Sequence, residues 1–285
     1  MKDKNAKKRD GMMNNCTPHS RYFKRGERMQ TKGKNFTGFS GNQLKVFAIL
    51  AMALDHLAWT LWPGYDNKAW WLLGIHLIGR LAAPTMWFMI AEGYHYTKNL
   101  KKYLERLFVF AVISHFAYTF CFGISWIPFR SSVLNQTSVI WALFCAALAL
   151  YVNDEERRSF ALTEWQKNLL ILLLCLLAFP SDWSCFPVLC SLHIYNNRGN
   201  LRKQVLGMLA YISMYVLVWC LCIDVVYGLL QYGIILVWPF MYYYNGTRGN
   251  WKGMKWFFYW FYVGHLILTG LLRVYLYGNG STIIG

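Results

Sequence analysis

Asp55 and His56 stand side by side within Leu44–Trp62, an apolar run long enough to cross a bilayer. An ionisable side chain at membrane depth costs about 2.5–3.5 kcal/mol even on lenient insertion scales, so such residues are rare and usually functional. The next apolar run adds His76, Arg80 and Glu92. Neighbouring residues on a helix project about 100° apart, so Asp55 does not easily orient the ring of its own neighbour. Its natural partner is a cation on another span, with Arg80 the candidate, which leaves His56 to face a cavity. Histidine titrates near neutrality and serves as a general base. His76 and Arg80, four residues apart, share one helix face. Pro84 frees the carbonyl of Arg80 and bends the helix there. A guanidinium so placed can hold a carboxylate or stabilise an oxyanion in acyl transfer. The plainer alternative for any one of these groups is a helix–helix hydrogen bond. The catalytic set read from the sequence is His56, Asp55, Arg80 and Glu92, with His265, His76 and His115 as secondary candidates. Glu92 also suits an ion pair with the basic loops, whereas Asp182 and Asp224 read as solvated groups at the outer mouth.

The elements that must position these groups are membrane helices. Of the 285 residues, 56% are hydrophobic, 18% aromatic and 15% charged, where soluble domains carry about 25% charged residues. Apolar runs of about 17–25 residues, each the size of a spanning helix, recur along the chain. The fold class expected is all-α, a polytopic integral membrane bundle of about nine transmembrane helices. They are read at 44–62, 70–93, 103–122, 136–152, 168–180, 183–195, 204–222, 225–243 and 256–276. The fifth and sixth are short and carry Pro180 and Pro187, so a tight hairpin or a re-entrant pair is the alternative there. Residues 1–43 read as a basic, disordered cytoplasmic tail, 44–276 as the catalytic membrane domain and 277–285 as a short external tail. No secretory signal is expected, because the polar start is followed by a full span without a cleavage site.

Charge sets the expected direction. Loops after even spans are basic (Lys98, Lys101, Lys102 and Arg106; Arg157, Arg158 and Lys167; Arg198, Arg202 and Lys203; Arg248, Lys252 and Lys255), while the others carry little beyond Lys68 and Arg130. The positive-inside rule then puts the amino terminus in the cytoplasm and the carboxyl terminus outside. The first 45 residues hold twelve Lys or Arg against three acids, so much of the net +16 is tail. That charge reads as topology signal and attraction to anionic lipid, not as a nucleic-acid surface. The cysteines lie mostly in apolar runs, with no Cys-x-x-Cys and no metal site expected; a Cys185–Cys190 bridge near the external face is weakly favoured, four residues in a helix-like run separating the two.

Two basic loops resemble each other, Tyr195-Asn-Asn-Arg-Gly-Asn-Leu-Arg-Lys and Tyr244-Asn-Gly-Thr-Arg-Gly-Asn-Trp-Lys. Glycine and asparagine admit positive φ, letting backbone amides converge on an anion, and arginine adds bidentate phosphate contacts. Arg248, Gly246, Gly249, Asn245 and Arg198 are therefore the donor-binding candidates, coenzyme A being a donor on the right side of the membrane; polar turns obeying the charge rule are the plainer reading.

Several stretches carry a resemblance. They are Leu44-Lys45 leading to Met52-Ala-Leu-Asp55-His56, Ile78-Gly79-Arg80-Leu-Ala-Ala-Pro84, Ala91-Glu92-Gly93-Tyr-His95-Tyr-Thr97, Lys102-Tyr103-Leu-Glu-Arg106-Leu107, Tyr244-Asn245-Gly246-Thr-Arg248-Gly249 and Phe258-Tyr-Trp-Phe-Tyr262-Val-Gly-His265-Leu266. In this order over nearly the whole membrane region, the chain resembles the TraX family, named for the conjugative pilin N-acetylase. It departs at Val263, where the family prefers proline before its histidine. The resemblance implies acetyl transfer from cytosolic acetyl-CoA, without a metal, to an amine or hydroxyl of a peptide, glycan or lipid acceptor presented in or across the cell membrane. Membrane lipids are the other expected partners; the oligomeric state is not legible. The rival readings are a proton-coupled transporter, which places the same ionisable groups at membrane depth, and a structural component of a conjugation or secretion apparatus.

Overall fold

The computed structural model describes residues 38–127, 129–130 and 134–283. The tail expected to be disordered falls, up to residue 37, outside the described residues. Among those described there is no β-strand, only the bridge pairs Phe39–Tyr244 and Thr137–Ser181. The helices are α1 (Gly41–Leu61), α2 (Trp70–Gly79), α3 (Ala82–Tyr96), α4 (Leu100–Phe122), α5 (Val139–Asn153), α6 (Glu164–Ala178), α7 (Phe186–Asn196), α8 (Leu201–Cys222), α9 (Val225–Leu230), α10 (Val237–Tyr242) and α11 (Met254–Tyr277). A 3₁₀ turn, Gln231–Leu236, joins α9 to α10.

Local chemistry fixes where each begins. Ser40 and Gln43 form a capping box at the start of α1, as Thr163 and Gln166 do for α6. Asn99, Asn200 and Asp224 accept from the third backbone N–H beyond them at α4, α8 and α9. Each such cap satisfies a donor that the helix itself cannot, and is worth about 1 kcal/mol. Gly123, in the left-handed region at φ 72°, closes α4, a conformation that costs glycine little.

Six described segments are long and apolar enough to cross a membrane: Gly41–Leu61, Trp70–Tyr96, Leu100–Phe122, Leu201–Cys222, Val225–Tyr242 and Met254–Tyr277. Val139–Asn153 is a shorter apolar helix. The eleven residues of α7 reach about 16 Å, well short of a hydrocarbon core of about 30 Å. Its residues Val188 and Cys190 are wholly buried, whereas Leu172, Leu173, Leu176 and Leu177 of α6 face outward. Outward leucines recur on α8 (Leu217, Leu221) and α11 (Leu268, Leu271). Exposed apolar surface on this scale fits contact with lipid, as in a multi-pass membrane protein. The seven described cysteines are free thiols, Cys185 and Cys190 among them.

Two interruptions shape the centre. The Trp70–Tyr96 segment breaks at Arg80–Leu81, where Pro84 can offer no N–H to the Arg80 carbonyl. The Val225–Tyr242 segment tightens into 3₁₀ geometry midway, a form that often marks functional positions inside helices. α11 packs on α4 and α1, and α3 on α7 and α1. Where α11 crosses α4, a Cβ at Gly270 would lie 2.6 Å from Phe120, so a small residue permits the approach. At the end away from the basic loops, buried Arg273 donates to the Cys121 and Phe120 carbonyls, both at 3.1 Å, and so satisfies the frayed end of α4. Lys68 and Asp224 pair there at 2.7 Å. The Lys68 ammonium holds the Asp224 carboxyl below its usual range, so the pair is intact at neutral pH and is lost as acid protonates the carboxylate.

Candidate functional site

Asp55 anchors a network that joins three helical segments. Its Oδ1 accepts from His76 Nδ1 at 2.7 Å and its Oδ2 from Arg80 Nη2 at 2.8 Å. The expected Asp55–Arg80 pair is present, and the i, i+4 spacing of His76 and Arg80 brings both to one carboxylate. Arg80 also donates through Nη1 to Gln231 Oε1 at 3.0 Å, and through Nε to the His76 carbonyl at 3.2 Å. Gln231 in turn donates to the Tyr227 carbonyl at 3.1 Å. The guanidinium lies 5.5 Å from the Trp183 ring centroid, a cation–π contact that further fixes its plane. His76 is wholly buried, and its ring is 4.4 Å from that of Trp59.

Gly79 lets this cluster exist. A Cβ there would stand 2.5 Å from Asp55 Cβ and Cγ, closer than real side chains come. Gly79→Ala is therefore expected to cost about 1–3 kcal/mol through overpacking and to displace the Asp55 carboxylate. Gly74→Ala, with nothing within 4 Å, should be close to neutral. Thermal unfolding of both variants in detergent checks this pair of expectations.

His56 faces the other way and meets His265, Nδ1 to Nε2, at 2.9 Å. A carbonyl can only accept, so His265 Nδ1 donates to the Phe261 carbonyl at 3.0 Å. In a neutral ring its Nε2 then accepts from His56 Nδ1–H, which leaves His56 Nε2 as the lone-pair nitrogen. Among the described residues no group bonds that Nε2. A base whose ring is oriented by a second group is the arrangement proton-transfer catalysts use. α11 runs unbroken through Val263 to bring His265 here.

Both clusters border a cavity of about 80 Å³. Its lining runs from His56 and Met86 within the bundle to Tyr65, Asn135, Asp182 and Trp219 at the end away from the basic loops. Trp183 in this wall and Ser184 after it, two consecutive non-glycine residues, hold positive φ of 64° and 51°. Such conformations cost about 1–3 kcal/mol each and cluster at functional sites. Lost solvation pushes the Asp182 carboxyl up to about 6. Sequence reasoning took Asp182 for a solvated residue and did not single out Gln231 or Trp183. Gln231 carried a usable signal, being a polar side chain in an apolar run; Trp183 carried none.

The remaining candidates lie elsewhere. Glu92 sits twelve residues beyond Arg80, about 18 Å along the segment, and accepts from Arg198 Nε at 2.7 Å and Nη2 at 3.1 Å. Arg198 Nη2 also donates to Tyr96 at 2.9 Å, so a guanidinium expected for a donor is engaged by Glu92. His115 accepts from or donates to Thr137 Oγ1 at 3.0 Å and donates to the Trp126 carbonyl at 2.8 Å, apart from the cavity. The loop after α10 has Gly246 and Gly249 at φ 73° and 89°. It turns carbonyls, not amides, toward α1: Gly41 N donates to Thr247 O at 2.8 Å and Asn42 N to Arg248 O at 3.0 Å. Asn245 spends its side chain on Gly38 and Thr247. Among the described residues no three His, Cys, Asp or Glu side chains are grouped to hold a metal ion.

Fold and site together define a multi-pass helical membrane protein with a buried ion-pair network and a histidine pair beside an internal cavity. A family model described as TraX protein matches residues 40–273, and the chain belongs to the TraX family. It is 30% identical over 247 residues to the probable fimbrial assembly protein FimC, serogroup H1, of Dichelobacter nodosus, covering 84% of this chain and 97% of that one. No solved structure matches the chain.

Proposed function

We propose that this protein is a membrane-embedded acetyltransferase, moving an acetyl group from cytosolic acetyl-CoA to an amine or hydroxyl of a membrane-presented or exported peptide, glycan or lipid. The observation that carries this reading is the His56–His265 pair set beside the Asp55–Arg80 ion pair on one cavity within a helix bundle. Acetyl-CoA supplies the activated acetyl thioester. The chain's own residues do the rest. His56 Nε2 takes the proton that the acceptor's amine or hydroxyl loses as its nitrogen or oxygen bonds the acetyl carbon, and returns it to the coenzyme A thiolate that leaves as the C–S bond breaks. His265 holds the imidazole in the tautomer that leaves this nitrogen free. Arg80 keeps N–H donors for developing negative charge, and Asp55 keeps Arg80 in place. The acceptor, a pilin or other peptide amino terminus being one fit, enters where Tyr65, Asp182 and Trp219 line the cavity. Arg248, Arg198 and the Gly246–Gly249 turn lie at the donor's end.

In this reading the basic loops are cytoplasmic, and an odd number of passes, nine if the short α6 and α7 both cross and seven if they form a re-entrant pair, carries the chain from an internal amino terminus to an external carboxyl terminus in the cell membrane. Single cysteines introduced at 66 and 102 should label from outside and only from inside, respectively. Labelling of both from one side would overturn that topology.

Purified protein in vesicles should release coenzyme A thiol when acetyl-CoA and membrane extract are both supplied. Release equal to that of protein-free vesicles would remove the enzymatic reading. The name of the Dichelobacter nodosus relative favours a second one, a component of fimbrial assembly without catalysis, in which His56 and Arg80 can be exchanged for neutral residues of similar shape with little loss. A proton-coupled transporter would instead show flux that needs no coenzyme A.

A further inference from the structure

Glu92 neutralises Arg198, whereas other cations at the same end are held by no carboxylate among the described residues. Lys45 lies one turn into α1, Arg106 two turns into α4, and Arg248 in the loop whose carbonyl accepts from Asn42 N at 3.0 Å. That backbone bond holds the Arg248 main chain against the first turn of α1, the turn that Lys45 follows. Arg248 and Arg106 are the charged neighbours of the Lys45 ammonium. Among the described residues none of the three forms an ion pair. Glu105, beside Arg106, faces Lys101 at 3.9 Å instead. Arg106 lies 5.6 Å and 5.9 Å from the ring centroids of Tyr103 and Tyr259, which fixes its guanidinium on α4 and α11. Its Nε is buried without a hydrogen-bond partner.

Three like charges drawn together repel one another, and a buried N–H donor left unpaired is destabilising. Structures tolerate such an arrangement where an anion completes it. A phosphate, with its three terminal oxygens and greater charge, meets cations on three elements more fully than a carboxylate with two oxygens.

We infer that Lys45, Arg106 and Arg248 form one phosphate-binding site at the basic end of the bundle, which takes the phosphates of a coenzyme A-type donor. The choice of donor rests on the acyl-transfer reading; the anion site does not. An anionic lipid headgroup presents the same phosphate chemistry at the same depth, so the test separates the two sources.

The full chain is placed in nanodiscs of phosphatidylcholine and titrated with coenzyme A, whose free thiol cannot react. Binding by wild type is expected, with Lys45→Gln, Arg106→Gln and Arg248→Gln each weakening it tenfold or more, Lys45→Arg close to wild type, and inorganic pyrophosphate competing. Size-exclusion profiles of the variants check that they remain folded. If coenzyme A does not bind, but phosphatidylglycerol stabilises wild type and not the three variants, the anion site is a lipid site and the donor assignment falls. Neither effect, or equal binding by all four proteins, overturns the site. Normal coenzyme A binding through these residues in a protein that transfers no acetyl group would leave the site standing and remove the acyl-transfer reading.

Discussion

His56→Ala is expected to insert, fold and bind donor normally while turning over 10²–10⁴-fold more slowly, the usual cost of losing a general base. The loss is specific because His56 contributes little else to the bundle. Among the described residues its Nδ1 meets only His265, on whose ring it stacks at 5.1 Å, and its ring edges Phe122 at 5.6 Å. His265 acts through His56, so its variants should separate orientation from packing. His265→Gln keeps an oxygen that can accept from His56 Nδ1 and should retain more activity than His265→Ala at similar stability. Single-turnover rates in detergent, compared with donor affinity, provide the measurement. A His56→Ala protein with near wild-type transfer would move the base elsewhere, and His265 would be the first place to look.

Asp55→Asn is expected to damage stability as well as activity. The carboxylate faces two donors within 2.8 Å, and its own residue is only 8% exposed. Removing one member of a buried ion pair leaves an uncompensated charge and costs about 3–5 kcal/mol. Here the stranded group is Arg80, which the Gln231 amide oxygen cannot neutralise. Replacing both partners, Asp55→Asn with Arg80→Gln, removes the unpaired charge, so the double variant should regain much of the stability lost in the single one while staying inactive. Thermal unfolding across this cycle gives the coupling between the pair. Additive losses would mean that the ion pair does not hold the site together.

The Asp55–Arg80 pair was legible in the sequence for a physical reason: charges at membrane depth must be neutralised, and few partners exist. The same logic anticipated that Glu92 would find a basic loop, although not that Arg198, assigned to a donor, would be the cation it takes. The meeting of His56 with His265 was not legible, since it spans 209 residues and depends on how α11 lies against α1. Gly79 read as one residue of a motif; only the approach of α1 shows that the missing Cβ makes room for Asp55. The loop around Arg248 was expected to offer amides and instead offers carbonyls, because glycine spacing records freedom of φ and not the direction in which peptides point. Helix types came through best from hydropathy. Lengths came through less well, as the eleven-residue α7 illustrates, because a short helix inside a bundle can be as apolar as a spanning one.

The most direct test of acetyl transfer follows the acetyl group itself. Purified wild-type and His56→Ala proteins in vesicles are given acetyl-CoA labelled in the acetyl carbons, together with membrane extract, and the label is traced by mass spectrometry. Label on an amine or hydroxyl of an extract component, formed by wild type and slowed at least a hundredfold in His56→Ala, is the expected result. Label that stays on coenzyme A or free acetate with wild-type protein, across peptide, glycan and lipid fractions alike, would contradict it.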